Sequence, residues 1–133
     1  MSMAYYVVLN GEHGDIDTLL SGKALGHSDE TLKEAAVKLC VTPLGDFYSS
    51  NWEEDREFVA AIGGDPECVP MVPEQWFSPS DGLNTVRAIR EFVGQHPDRC
   101  EYAEGVIEDL NAFERVLLAA DAAGLMWHLA VDF

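Results

Sequence analysis

Three groups of residues carry types and spacings that chemistry would need. The first is Glu12-His13-Gly14-Asp15-Ile16-Asp17. On an extended backbone His13, Asp15 and Asp17 point the same way, and an imidazole with two carboxylates is a donor set for a divalent ion. The same stretch also reads as a solvated turn after Asn10-Gly11, since a glycine between ligands signals turn geometry. The second is His128, flanked by Trp127 and Leu129. Asp132 stands four residues on, about 13 Å along a strand, so the two form no direct pair. His128 must instead meet what a neighbouring strand brings, Tyr6 for example. It reads either as a structural histidine or as the general base of a metal-assisted hydrolase built on His13, Asp15 and Asp17.

The third group is the acidic-aromatic run from Asp46 to Glu57. Between residues 44 and 81 there are nine acids and one base, Arg56. Rings supply rigid contact area, and carboxylates take arginine or lysine. Asp46, Tyr48, Trp52, Glu53, Glu54 and Asp55 are therefore the expected contact surface for a basic protein partner. The competing reading has Phe47, Tyr48 and Trp52 anchoring an irregular segment onto the core while the acids stay hydrated. Glu101, Glu104 and Glu108, on a later helix, form an alternative acidic face.

Other motifs fail on their own requirements. Gly22-Lys23 suggests a phosphate-binding loop, but Asp17 stands where the first glycine belongs and Ala24 replaces the Ser/Thr that would hold magnesium. Arg87 and Arg90 form a small basic island, expected to pair with Glu91 or with acids on the following helix. No catalytic residue and no cofactor is assigned.

The charge balance is decisive about partners. The chain has 24 acidic and 8 basic residues, a formal net of −16 in 133 residues. Such a surface repels nucleic acid and anionic membranes and attracts cations. No apolar stretch approaches the roughly 20 residues that span a bilayer, and no basic stretch precedes the short apolar run Tyr5–Leu9, so no signal segment is read. Cys40, Cys68 and Cys100 are odd in number and widely spaced. That pattern suits free thiols in a reducing compartment, and a cytoplasmic location is expected.

The elements that must position these groups are legible in the periodicity. Hydrophobic residues make up 47% of the chain, too many for a disordered acidic tail. Tyr5–Leu9 reads as a strand ending at Asn10-Gly11. Residues 11–27 show no sustained period. Ser28, Asp29 and Glu30 start a helix over about 29–40 that buries Leu32, Ala35, Ala36, Leu39 and Cys40. Residues 41–77 read as irregular, with one helix over Trp52–Ile62. Ser78-Pro79-Ser80-Asp81 starts a helix to about Gly94. A third long helix over about 101–123 carries the stripe Ala103, Val106, Leu110, Phe113, Leu117 and Ala120, with Gly124 as its terminal glycine. Met126–Phe133 reads as a strand beside the first, with Trp127, Leu129, Val131 and Phe133 on one face and Met126, His128, Ala130 and Asp132 on the other. The expectation is one α+β domain over residues 1–133, its N- and C-terminal strands in one sheet packed by three to four helices.

Trp76-Phe77-Ser78-Pro79, the helices after it and Trp127-His128-Leu129-Ala130-Val131-Asp132-Phe133 give the chain a resemblance to small acidic bacterial proteins with no assigned activity. Tyr5-Tyr6-Val7-Val8 and Gly22-Lys23-Ala24-Leu25 agree with it. The resemblance implies a bacterial cytoplasmic origin and a compact α+β fold, and carries no residue roles. A non-catalytic binding or regulatory module is the expected function, in the way bacterial immunity proteins meet cationic toxins. The metal-assisted hydrolase is the alternative, and a homodimer is compatible with either.

Overall fold

The computed structural model describes residues 4–11 and 22–132. Strand β1 (Ala4–Leu9) pairs antiparallel with β2 (Trp127–Asp132), from Ala4 opposite Asp132 to Leu9 opposite Trp127. The two ends of the described chain thus close one sheet. Alternation along the strands sends Tyr5, Val7, Leu9, Trp127 and Leu129 inward, where all are buried. Tyr6, Val8, His128 and Ala130 share the outer face.

The inner face packs on helices. Among the described residues these are α1 (Lys23–His27), α2 (Asp29–Lys38), α3 (Trp52–Ala61), α4 (Pro79–Gln95) and α5 (Ala103–Ala122). Helix α4 starts where Ser78 Oγ accepts from the Ser80 amide at 3.2 Å, with Pro79 in the first turn. Its Leu83, Val86, Ile89 and Val93 meet the α5 stripe Val106, Leu110, Phe113, Leu117 and Ala120 in one core. Gly124, just past the end of α5, has φ +71° and turns the chain toward β2.

Two local expectations change. Helix α2 ends at Lys38, and Cys40 takes φ +58°, so Leu39 and Cys40 are exposed rather than buried. Helix α1, absent from the periodicity reading, exists because Asp109 reaches it from α5. The buried Asp109 carboxylate accepts from the Ala24 and Leu25 amides at 3.1 and 3.3 Å. Amides at a helix start have no partner within the helix, and here the partner is 84 residues away in sequence.

The middle segment is held by few anchors. Residues Leu44–Phe47 form a 3₁₀ turn that buries Leu44 and Phe47. The Phe47 ring stacks on Trp127 at 5.0 Å and meets Phe77 edge-on at 5.2 Å. Helix α3 follows with no buried residue at all. Its contacts go mainly to the 3₁₀ turn Pro66–Cys68.

Candidate functional site

The free edge of β2 is where the middle segment returns to the sheet. Tyr48 makes a parallel bridge to Leu129 and Phe77 an antiparallel bridge to Trp127. The Ser49 amide donates to the Leu129 carbonyl at 3.1 Å, and Phe77 and Trp127 exchange two backbone hydrogen bonds of 2.7 and 3.0 Å. Residues 48–55 and 69–77 therefore stand as walls beside the outer face of the sheet, and His128 lies at their foot.

His128 is 2% exposed and both ring nitrogens are engaged. Nδ1 lies 2.9 Å from the Leu129 carbonyl oxygen and Nε2 lies 2.6 Å from Glu74 Oε2. The Trp76 ring covers the imidazole at 4.7 Å between centroids. A carbonyl only accepts, so Nδ1 carries the hydrogen of the first bond. Both nitrogens being occupied, the ring presents no vacant one to a substrate. Its evident work is to hold the Glu74 carboxylate, whose side chain keeps 24% of its surface exposed.

Two clefts open between the walls. One, of about 150 Å³, is lined by Tyr6, Tyr48, Glu54, Asp55, Glu74 and His128 among others. The second, of about 280 Å³, is lined by Tyr48, Trp52, Asp55, Val69, Val72 and Pro73 among others. Tyr48, Ser49, Ser50 and Asp55 border both. Helix α3 is aimed at this place by its N-cap: Asn51 Oδ1 accepts from the Glu53 and Glu54 amides at 3.0 and 3.3 Å. Asp55, one turn in, then faces the clefts.

The one base of the segment is already committed. Arg56 donates to the Val69 carbonyl at 3.3 Å, sits 5.2 Å from the Trp52 ring centre and lies 4.0 Å from Glu67. It ties α3 to the second wall and leaves Glu54 and Asp55 without a basic neighbour among the described lining residues.

Of the six residues expected to form a contact surface, four border these clefts: Tyr48, Trp52, Glu54 and Asp55. Glu53 is exposed on α3 beside them. Asp46 lies elsewhere, in a cleft of about 160 Å³ with Tyr5, Asp29 and Lys33. There the Tyr5 hydroxyl donates to Asp29, and burial first, then that carboxylate, raises the tyrosine well above its ordinary value. Of the three rings in the anchoring reading, Phe47 is buried in the core, Trp52 is half-buried and Tyr48 is 51% exposed. No local pattern in the sequence marks Glu74 and Trp76 as site residues, since nothing near them in the chain tells that their segment closes over His128.

His13, Asp15 and Asp17 lie outside the described residues. Among the described ones, no three His, Cys, Asp or Glu side chains gather as a metal-holding group. Arg87 and Arg90 clasp Glu114 on α5 at 3.0 and 2.8 Å. Hydrogen bonds from Arg90 and then Arg87 draw the Glu114 carboxyl down to about 2. The basic island is thus a helix–helix clamp. No helix among the described residues is long and apolar enough to cross a membrane.

No family model matches the chain, and neither a curated protein nor a solved structure matches it.

Proposed function

We propose that this protein is a non-catalytic binding module that takes a basic protein partner on the face formed by Tyr48, Trp52, Glu53, Glu54 and Asp55, much as immunity proteins meet cationic toxins. One observation carries the reading. Two adjoining clefts share an aromatic and a carboxylate wall, and Arg56 is turned away into internal bonds. Exposed rings at 51% for Tyr48 and 66% for Phe58 add contact area beside the acids. The net charge of −16 steers a cationic partner over distances set by the ionic strength.

Capture from lysate of the source cell at about 50 and about 300 mM salt tests this. A basic protein recovered in stoichiometric amount at low salt and depleted at high salt is the expected result. Its loss on Tyr48→Ala with Asp55→Asn, and its retention when Glu101, Glu104 and Glu108 become glutamine, would place the contact on this face. Beads clean at both salts would refute the reading. Self-association responds to salt with the opposite sign, tightening as salt rises, because it brings two strongly negative chains together. The cysteines, exposed at Cys40 and Cys68 and buried at Cys100, are all free, which supports a cytoplasmic location.

A further inference from the structure

Helix α3 lacks what holds the other long helices in place. None of its residues is buried, whereas α2, α4 and α5 each bury a stripe. A helix of 10 residues is marginal in water by itself, and in proteins most helical stability comes from packing an apolar face. The inner side of α3 is attached by half-buried groups. Trp52 and Asp55 line the larger cleft, Val59 lies against Gly64, and Arg56 donates to the Val69 carbonyl at 3.3 Å.

The outer side is open to solvent. At 3.6 residues per turn it is shared by Glu54, Glu57, Phe58, Ala61 and the capping residue Ile62, and all five are exposed. Phe58 and Ile62, one turn apart, keep 66% and 67% of their surface exposed. Single exposed apolar side chains are ordinary, but two stacked on one helix face form a patch. The charge on this face has one sign. Glu54 and Glu57 occupy it with Glu53 beside them, and Arg56 is on the other side.

This pattern selects the occupant. A helix face presents side chains and no free backbone groups, so it adds no strand to a partner; an apolar pair at i and i+4 is what a second helix matches. The acids require that helix to be basic. They oppose a second copy of this chain, whose own net charge is −16, and an anionic membrane for the same reason. The acids stand in the first half of α3 and the apolar pair at its end. A helix lying antiparallel brings its own C-terminal half, where cations suit its dipole, beside those acids. One helix face is smaller than the roughly 800 Å² per partner of a stable interface. The contact is therefore one part of a larger one, and Glu54, which also borders the smaller cleft, joins the two.

We propose that the outer face of α3 docks an amphipathic helix of the basic partner, antiparallel, with apolar residues on Phe58 and Ile62 and lysine or arginine one turn further on against Glu54 and Glu57. The inference rests on the reading that a basic partner binds this side of the molecule.

The test uses the full chain and two labelled peptides of about 15 residues with one composition. One carries leucines at i and i+4 in its first half and arginines in its second; the other is shuffled so that no helical face is apolar. Fluorescence anisotropy at low salt measures binding, and hydrogen exchange locates it. The ordered peptide should bind at least about tenfold more tightly than the shuffled one, as an apolar anchor requires, and should slow exchange of the α3 amides. Phe58→Ala with Ile62→Ala should erase that preference, and Glu54→Gln with Glu57→Gln should reduce the salt dependence. Circular dichroism establishes that the variants are folded, and the comparison of peptides on the unaltered chain decides without them. Equal binding of both peptides, or protection that misses α3, overturns the inference and leaves the basic-partner reading standing. Protection of α3 that rises with the protein's own concentration, without peptide, makes the face a self-contact and overturns it too. No binding of either peptide also overturns it, and capture from lysate then decides the basic-partner reading separately.

Discussion

The substitution Gly82→Ala puts the packing of the whole fold to a test. A Cβ on Gly82 would lie 2.4 Å from Trp127 Cζ2, 2.8 Å from Cε2 and 2.9 Å from Nε1. Carbon atoms in contact settle at about 3.5–4.0 Å, so more than about 1 Å of movement is required. Trp127 has nowhere to go. It is fully buried, stacked on Phe47 at 5.0 Å, and its Nε1–H donates to the Ser78 carbonyl at 3.1 Å. Its backbone is held twice by Phe77. Overpacking costs about 1–3 kcal/mol, and straining the indole bond adds about 1 kcal/mol. Alanine's better helix propensity returns about 1 kcal/mol. The net is a loss of about 2 kcal/mol, which for a chain of this size lowers Tm by about 8 °C. Gly94, on the same helix, provides the control, since a Cβ there meets nothing within 4 Å. Gly94 is the penultimate residue of the helix, where propensity counts for less, so Gly94→Ala should stabilise by about 0.5 kcal/mol. Urea unfolding followed by tryptophan fluorescence and by far-UV circular dichroism measures both. If Gly82→Ala is neutral or stabilising while Gly94→Ala behaves as expected, Trp127 does not lie on α4 as described.

Asp109→Ala should cost about 2 kcal/mol in a thermal melt, because it strips the acceptor from two amides of α1; Asp109→Asn, which keeps one acceptor oxygen, should cost less, and unchanged hydrogen exchange at the Ala24 and Leu25 amides in Asp109→Ala would count against the cap. The Glu114 carboxyl is held at about 2 by Arg90 and Arg87, below its ordinary value, so its contribution is present above about pH 4.3 and lost as pH falls through about 2. Solvent reaches Arg87, 53% exposed, and screening reduces the worth of the clamp to about 1 kcal/mol; Glu114→Gln should lose that amount at neutral pH and flatten the acid limb of the stability curve. The Tyr5 hydroxyl, raised by burial and by Asp29, favours the fold below about pH 10, and that part is lost as pH rises through its folded value. Ultraviolet titration should show a tyrosine step that resists ionisation until the fold opens, and Tyr5→Phe should remove that late step.

Much of the architecture is written in short-range pattern. The α5 stripe, the Ser78-Pro79 start of α4 and the Gly124 stop depend on residues within a turn or two of one another, so local sequence is sufficient to place them. The alternation of Trp127, Leu129 and Val131 against His128 and Ala130 likewise assigns faces before any partner strand is known. Leu39 and Cys40 mark the limit. Their spacing continues the helix, but the left-handed turn at Cys40 ends it, and where a chain must turn is set by what it has to reach next.

The site shows the same division more sharply. Composition alone dictates that the protein is acidic and that the segment from Asp46 to Glu57 joins rings to carboxylates, because charge and aromatic content need no geometry to count. It could not say that Asp46 would part from Tyr48, or that Phe47 would stack on Trp127 while its neighbour stayed exposed; those follow from one backbone bridge to β2. Glu74 reaches His128 across 54 residues, and Asp109 reaches α1 across 85. Contacts of that separation leave no local trace, since nothing nearby in the chain must change to accommodate them. The identity of the chemical groups is thus a property of the sequence, and their meeting at the foot of two clefts is a property of the closed sheet, which only tertiary packing brings about.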